Sequence, residues 1–256
     1  MAHKQDKSMM LSQGVFIFVY LAVLTGLEFF IAVSFNSVPL LIVIALVKAV
    51  LVLYYYMHIY QLNMDPEHEV DEESYEYKTG TNRLGLWLFL VSDTFVFGGL
   101  MVMRINLLGL TRPELNQFLG LGVTAVLLIS SFFMNRGETM LHNGDRKGFL
   151  NNTAITFLLG LGFLLGVILV EWRLALNEGM TPDSGPYGAA FFMMTGMHAF
   201  HVFTGLVLLV IVWINGRRGL YDEKSYPVEA AAVYWHFVDV VWIFFYPALY
   251  LIGALA

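Results

Sequence analysis

Seven separate apolar runs, each long enough to cross a bilayer, constrain this chain more than any other feature of its sequence. They extend approximately over Ser12–Phe35, Pro39–Tyr60, Arg83–Leu108, Glu114–Arg136, Gly148–Arg173, Tyr187–Ile214 and Ala230–Leu255. About 20 apolar residues at a rise of about 1.5 Å span a hydrocarbon layer of about 30 Å. Inside that layer the backbone must satisfy its own hydrogen bonds, and a closed barrel would need short alternating strands instead of these runs. Composition agrees: 58% of the 256 residues are hydrophobic, 13% are charged, and mean hydropathy is +0.67. A water-soluble domain of this composition would expose too much apolar surface. The predicted class is therefore an all-α, polytopic membrane bundle of seven transmembrane helices.

Lys and Arg set the expected orientation. Lys4, Lys7, Lys78, Arg83, Arg136, Arg146, Lys147, Arg217, Arg218 and Lys224 fall on the amino-terminal side, and only Arg104, Arg112 and Arg173 on the other. The positive-inside bias then puts the amino terminus in the cytoplasm. The first apolar run lacks a small-residue cleavage site, so it is expected to be a retained helix. An acidic segment carrying Asp65, Glu67, Glu69, Asp71, Glu72, Glu73 and Glu76 supplies much of the formal net charge of −6. It reads as a solvated cytoplasmic linker over residues 61–82, dividing a two-helix hairpin (1–60) from five helices (83–256). No internal repeat joins the two parts, so an inverted-repeat transporter finds no support. The chain has no Cys, which excludes disulfides, iron–sulfur clusters and thiolate copper sites.

The informative residues are the polar ones inside the runs, because ionisable groups at that depth are expensive and turn toward protein or a wet cavity. Within FFMMTGMHAFHVFTGLVLL, Thr195, His198, His201 and Thr204 step by three and form one polar stripe. That makes this segment the expected interior helix of the bundle. In the hairpin, counting from the turn near Ser37, Glu28 lies roughly 13 Å deep and Lys48 roughly 16 Å, so the two charges can pair across antiparallel helices. Asp93 lies about 15 Å from the amino-terminal side, Asp239 about 14 Å and His201 about 20 Å, so these three are expected in one layer, with His236 three residues before Asp239 on the same face. Such a layer suits a hydrogen-bonded core, a proton-collecting region or a metal site. Two histidines on separate helices, such as His201 and His236, are also the arrangement that holds a haem axially. Bulky Phe200, Phe203, Phe237 and Trp242 are expected to crowd them.

TGMHAFHVFTGL followed by YWHFVDVVWIFFY resembles the last two helices of subunit III of the haem-copper oxidases, in the usual order and separation. LGLWLFLVSDTFVFGGLMV resembles the subunit III helix that opens GLWLFL and carries a buried carboxylate after a Ser. Asp93 stands where many cytochrome c oxidase members have Glu, and Asp is familiar in quinol-oxidase relatives, so the electron donor stays open. NGDRKG after Ser130 and Ser131 resembles the subunit III loop that enters the next helix. Asn135, Glu138 and Thr139 replace the histidine-rich turn common there, so no role of those histidines transfers. LTGLEFF with ALVKAVLVLYYYMHI is similar to the small bacterial subunit IV of the same oxidases; diverged first helices of a seven-helix subunit III are the other reading.

The remaining signals are weaker. Asn135–Gly148 reads as a polar loop whose Arg146 and Lys147 anchor the inner face or bind a lipid headgroup. Gly162 and Gly166 are four apart and suit close helix packing. Glu171 is expected at the outer interface, at the position of a family carboxylate, with simple solvation as the plainer reading. Trp87, Trp172, Trp213 and Tyr54, Tyr55 and Tyr56 sit near helix ends like interfacial aromatics. Motifs for nucleotide hydrolysis, acyl transfer and peptidase chemistry are absent from the sequence.

The resemblance implies a non-catalytic subunit of a respiratory terminal oxidase in a bacterial plasma membrane, with no cofactor of its own. Haem and copper would reside in partner subunits, subunit I being the main contact and subunit II the second, with bound phospholipid and no nucleic acid. Asp93, Glu171, His198, His201, His236 and Asp239 are the candidate proton- or lipid-associated residues. A haem-binding membrane electron carrier and a proton-coupled transporter are the alternatives.

Overall fold

A computed structural model describes residues 7–35, 37–59, 75–112, 115–221 and 225–255. The acidic residues 65–73 of the linker lie outside the described residues. Seven helices carry the apolar runs: α1 (Lys7–Ser34), α2 (Val38–Tyr55), α3 (Tyr75–Leu108), α4 (Gln117–His142), α5 (Arg146–Asn177), α6 (Pro186–Arg217) and α7 (Tyr226–Leu251). All seven are long and apolar enough to cross a membrane. The chain is a polytopic membrane helix bundle. Beyond the helices, Thr111–Arg112 (β1) and Ala254–Leu255 (β2) form a two-residue parallel pairing.

Local chemistry explains the helix starts. Pro39, Pro186 and Pro227 sit in the first turns of α2, α6 and α7, where a missing N–H costs nothing and the fixed φ suits the helix. Asn116 accepts from Leu119 N at 3.1 Å and Asp145 from Gly148 N at 2.9 Å, capping α4 and α5.

Several ends differ from the expected ones, and the differences share a cause. Helix α3 begins at Tyr75, so the last part of the expected linker, residues 75–82, is helical. Its first turns are tied down by Arg83, which donates to both carboxylate oxygens of Glu229 at 2.7 and 2.9 Å. Helix α4 continues through the expected polar loop to His142. There Thr139 donates to Asn135 O, Asn143 donates to Thr139 O, and Gly144 turns the chain at φ +77°. Helix α5 then starts at once, with Arg146 donating to the carbonyls of Gly216 and Arg217 at the end of α6. In each case polar side chains beyond the apolar run hold the helix end, by an ion pair at α3 and by bonds to backbone carbonyls at α4 and α6, which an apolar count does not register.

The bundle is arranged around α7, not α6. Eighty-three per cent of the most apolar stretch of α7 is buried, against 44% for α6. Helix α7 packs against α2, α3, α4 and α6, while α6 turns Phe200, Phe203, Val207 and Ile211 outward. The polar stripe does face inward, yet Trp235, Trp242, Phe245, Tyr246 and Tyr250 make α7 the more deeply packed helix. Trp235 is fully buried and donates to Ser130 Oγ at 3.1 Å. It fits because its neighbours are glycines: a Cβ at Gly160 would come within 2.4 Å of the indole, and one at Gly205 within 2.8 Å. The glycine pair expected to pack closely behaves otherwise. A Cβ at Gly162 would meet nothing, and one at Gly166 would make ordinary contact with Val123 at 3.5 Å. Gly162 faces outward, and Gly160 holds the helix contact.

Arg104 was placed by charge counting as an outer-side cation, and the structure buries it. It donates to Ala248 O, Gly109 O, Thr111 O and Ile252 O at 2.7, 2.6, 3.0 and 2.9 Å. Carbonyls left unpaired where α3 and α7 end converge on one guanidinium, whose planar fork serves several acceptors at once. With Arg83–Glu229 at the other end, α3 is held to α7 at both ends.

Candidate functional site

The ionisable residues inside the bundle fall into three groups instead of one layer. The first joins the hairpin to α7. Lys48 Nζ donates to Glu28 Oε2, and the side chains are 1% and 0% exposed. Asp239 is buried nearby with both carboxylate oxygens unpartnered among the described residues. It shares a small cavity with Lys48, Thr25, Thr124 and Trp242. His236, one turn before Asp239, meets Ser131 Oγ through Nδ1 at 2.8 Å and packs on the Tyr56 ring at 5.0 Å. Tyr56, expected as an interfacial aromatic, is 1% exposed.

The second group lies between α3 and α6. His201 Nε2 is 3.0 Å from Asp93 Oδ2, with side chains 10% and 13% exposed. His201 Nδ1 is 2.8 Å from Met197 O. A carbonyl only accepts, so Nδ1 carries hydrogen and Nε2 is the ring nitrogen that faces the carboxyl group. Asp93 and His201 are therefore a close carboxyl–imidazole pair, although Asp93 Oδ2 meets no aligned hydrogen-bond donor among the described residues. Around them Phe89, Phe95, Phe200 and Phe203 point outward. Of the three residues expected in one layer, Asp93 and His201 lie against each other, while Asp239 faces the hairpin cavity.

Glu171 forms the third group. It was placed at a solvated interface, but it is 4% exposed and accepts from the Tyr250 hydroxyl at 2.7 Å. The backbone from Gly166 to Glu171 widens into a π-helical turn, which rotates Glu171 inward; an apolar count assumes a regular helix and misses this. Glu171 lines a cavity of about 110 Å³ with Asn116, Glu178 and Tyr250.

The geometry does not fit an axial haem. His201 has Asp93 and Met197 O beside its two ring nitrogens, and His236 meets Ser131 through Nδ1 while its fully buried Nε2 has no hydrogen-bond partner among the described residues. His198 is wedged against Trp242 and Phe163 at 4.9 and 5.6 Å, and His201 against Phe97 at 4.7 Å. Of the four rings expected to crowd the histidines, Phe237 and Trp242 are buried, whereas Phe200 and Phe203 face outward. Among the described residues no group of three or more His, Asp or Glu is placed to hold a metal ion.

Comparison with known proteins assigns the family. The sequence model described as "Cytochrome c oxidase subunit III" matches residues 10–254. The chain belongs to the cytochrome c oxidase subunit III family. Similar relatives include "Cytochrome c oxidase subunit 3" of Thermostichus vulcanus, 34% identical over 66% of this chain and 86% of that protein. "Quinol oxidase subunit 3" of Bacillus subtilis is 34% identical over 73% of this chain and 96% of its own length. "Probable quinol oxidase subunit 3" of Staphylococcus saprophyticus is 33% identical over 72% and 94%. As a member of the subunit III family the chain is an accessory subunit of a haem-copper terminal oxidase, and the three buried groups are features of a supporting subunit.

Proposed function

We propose that this chain packs in a bacterial plasma membrane against the catalytic subunit I, with subunit II as a second neighbour. There it stabilises the complex, holds phospholipid on its apolar surface, and supports proton uptake from the side of its amino terminus. The observation that carries this reading is the Asp93–His201 pair, a carboxyl and an imidazole 3.0 Å apart at a partly open position among outward Phe side chains between α3 and α6. An ionisable pair within an apolar face needs a covering partner or lipid, and a partner that moves protons would meet it at its own surface. Orientation with the amino terminus inside rests on the positive-inside bias. In its favour, Arg83, Arg136, Arg146, Lys147, Arg217 and Arg218 gather near the ends of α3–α7 on that side, against Arg104 and Arg173 on the other.

The organisation is that of a two-helix unit (1–60) joined through residues 61–82 to five helices (83–256). Nearly all of the Bacillus relative is covered by 73% of this chain, which favours a shared five-helix part. The family match beginning at residue 10 favours counting the hairpin as subunit III's own first two helices over a fused subunit IV. The relatives' names include both cytochrome c and quinol oxidases, so the donor is decided by the partner subunits.

Purification of the tagged chain from its native membrane in mild detergent, with mass spectrometry and a reduced-minus-oxidised spectrum, tests this reading. Subunits I and II with haem bands that vanish when harsher detergent isolates the chain are expected. Haem retained by the isolated chain, or purification without either subunit, would overturn it.

A further inference from the structure

The cavity between the hairpin and α7 is the most completely specified site in the molecule outside the Asp93–His201 pair. Its walls are Thr25 from α1, Lys48 from α2, Thr124, Leu127 and Leu128 from α4, and Asp239, Trp242 and Ile243 from α7. The space open to the centre of a water molecule is about 10 Å³, near the minimum for one water.

Hydrogen-bond capacity around it is limited. Thr25 donates its hydroxyl proton to Leu21 O at 2.8 Å, and Thr124 donates to Gly120 O at 2.7 Å. Thr124 Oγ1 also accepts from Trp242 Nε1 at 2.9 Å. Toward the cavity both threonines are therefore acceptors only. Lys48 Nζ gives one of its three hydrogens to Glu28 and has two left, so toward the cavity it is a donor only. Asp239 is 2% exposed with neither oxygen hydrogen-bonded.

We propose that this cavity holds one structural water, accepting from Lys48, donating to Thr25 and Thr124, and accepting its second hydrogen bond from Asp239 in the carboxylic acid form. A water has two hydrogens and two lone pairs. Two acceptors and one donor are fixed by the threonines and Lys48, so the remaining position requires a donor, and Asp239 is the polar wall group left to supply it. Charge balance leads to the same place. Glu28 and Lys48 neutralise each other, and an ionised Asp239 would leave a sealed site with net charge −1, which burial strongly disfavours. The other ionisable groups near the cluster are Tyr56 and His58 just after α2, with His58 on the His236 side, and His236 and Tyr246 on α7; Lys48 is the cation that lines the cavity itself. This goes beyond subunit membership: the chain holds a neutral, water-bridged acid in its interior, separate from the Asp93–His201 pair.

Infrared spectroscopy of the native complex tests it, with carboxyl-¹³C aspartate incorporated to separate side-chain acid from lipid ester absorption. In the unsubstituted protein a carboxylic acid band is expected to shift with the label. Asp239→Asn should lose that component, and Asp93→Asn should keep it. Lys48→Met, by removing the only ammonium, should add a second acid band, unshifted by the aspartate label because it belongs to Glu28. Absence of any label-shifted acid band in the unsubstituted complex would overturn the proposal, a reading that needs no variant to fold. Labelled acid absorption unchanged in intensity by Asp239→Asn would overturn it as well.

Discussion

The cluster beneath the hairpin and the pair between α3 and α6 use similar groups under opposite conditions. Glu28, Lys48, Asp239 and His236 are at most 2% exposed, and every charge there must be balanced within the chain. Asp93 and His201 are 13% and 10% exposed and stand at a partly open position among outward Phe side chains. The difference teaches that an ionisable residue in a membrane helix has no role by type alone. Enclosure turns a carboxylate into part of the framework, and partial opening leaves it responsive to whatever covers it.

That contrast yields graded predictions. The largest effect belongs to Lys48→Met, which leaves Glu28 in a sealed site without its cation. A loss of about 3–5 kcal/mol is expected, read as a collapse of thermal stability in detergent. Next is Arg104→Ala, which strips the carbonyls of Gly109, Thr111, Ala248 and Ile252 of their common donor. About 2–3 kcal/mol is expected, with the ends of α3 and α7 fraying in hydrogen exchange. Gly160→Ala pushes a methyl into the Trp235 indole and should cost about 1–3 kcal/mol, accompanied by a change in tryptophan fluorescence. Asp93→Asn should be smallest in stability, within about 1 kcal/mol, because the site is partly open. Its effect should appear instead in the oxidase, as weaker retention of this subunit. A loss of stability from Asp93→Asn matching that from Lys48→Met would erase the distinction between the two regions.

Much of the fold was legible in the sequence because lipid permits few solutions. The seven runs, their class and the subunit III likeness followed from apolar length and from the paired motifs around His198 and His236. Matching depths for Glu28 and Lys48 came from counting residues along each helix, but rotation about the helix axes, which decides contact, is not in the count. The same gap misplaced Asp239, which was grouped with Asp93 by depth and turned to the hairpin by rotation. Glu171 was misplaced because its helix is locally π, and Gly162 because the face bearing Gly160 is the one that meets Trp235. Arg104 was invisible for a different reason. Its role is to serve carbonyls from two chain ends 144 residues apart in sequence, and no local pattern carries that information. The primacy of α7 was missed because its Trp and Tyr side chains lower its hydropathy while filling the core.

The most direct measurement is a double-mutant cycle on Glu28 and Lys48, following thermal unfolding of the complex for Glu28→Gln, Lys48→Met and the pair together. If the hairpin is held by a sealed, internally balanced cluster, the double variant will be more stable than Lys48→Met alone, because the uncompensated charge is gone. A double variant as damaged as the sum of the single changes would contradict that account.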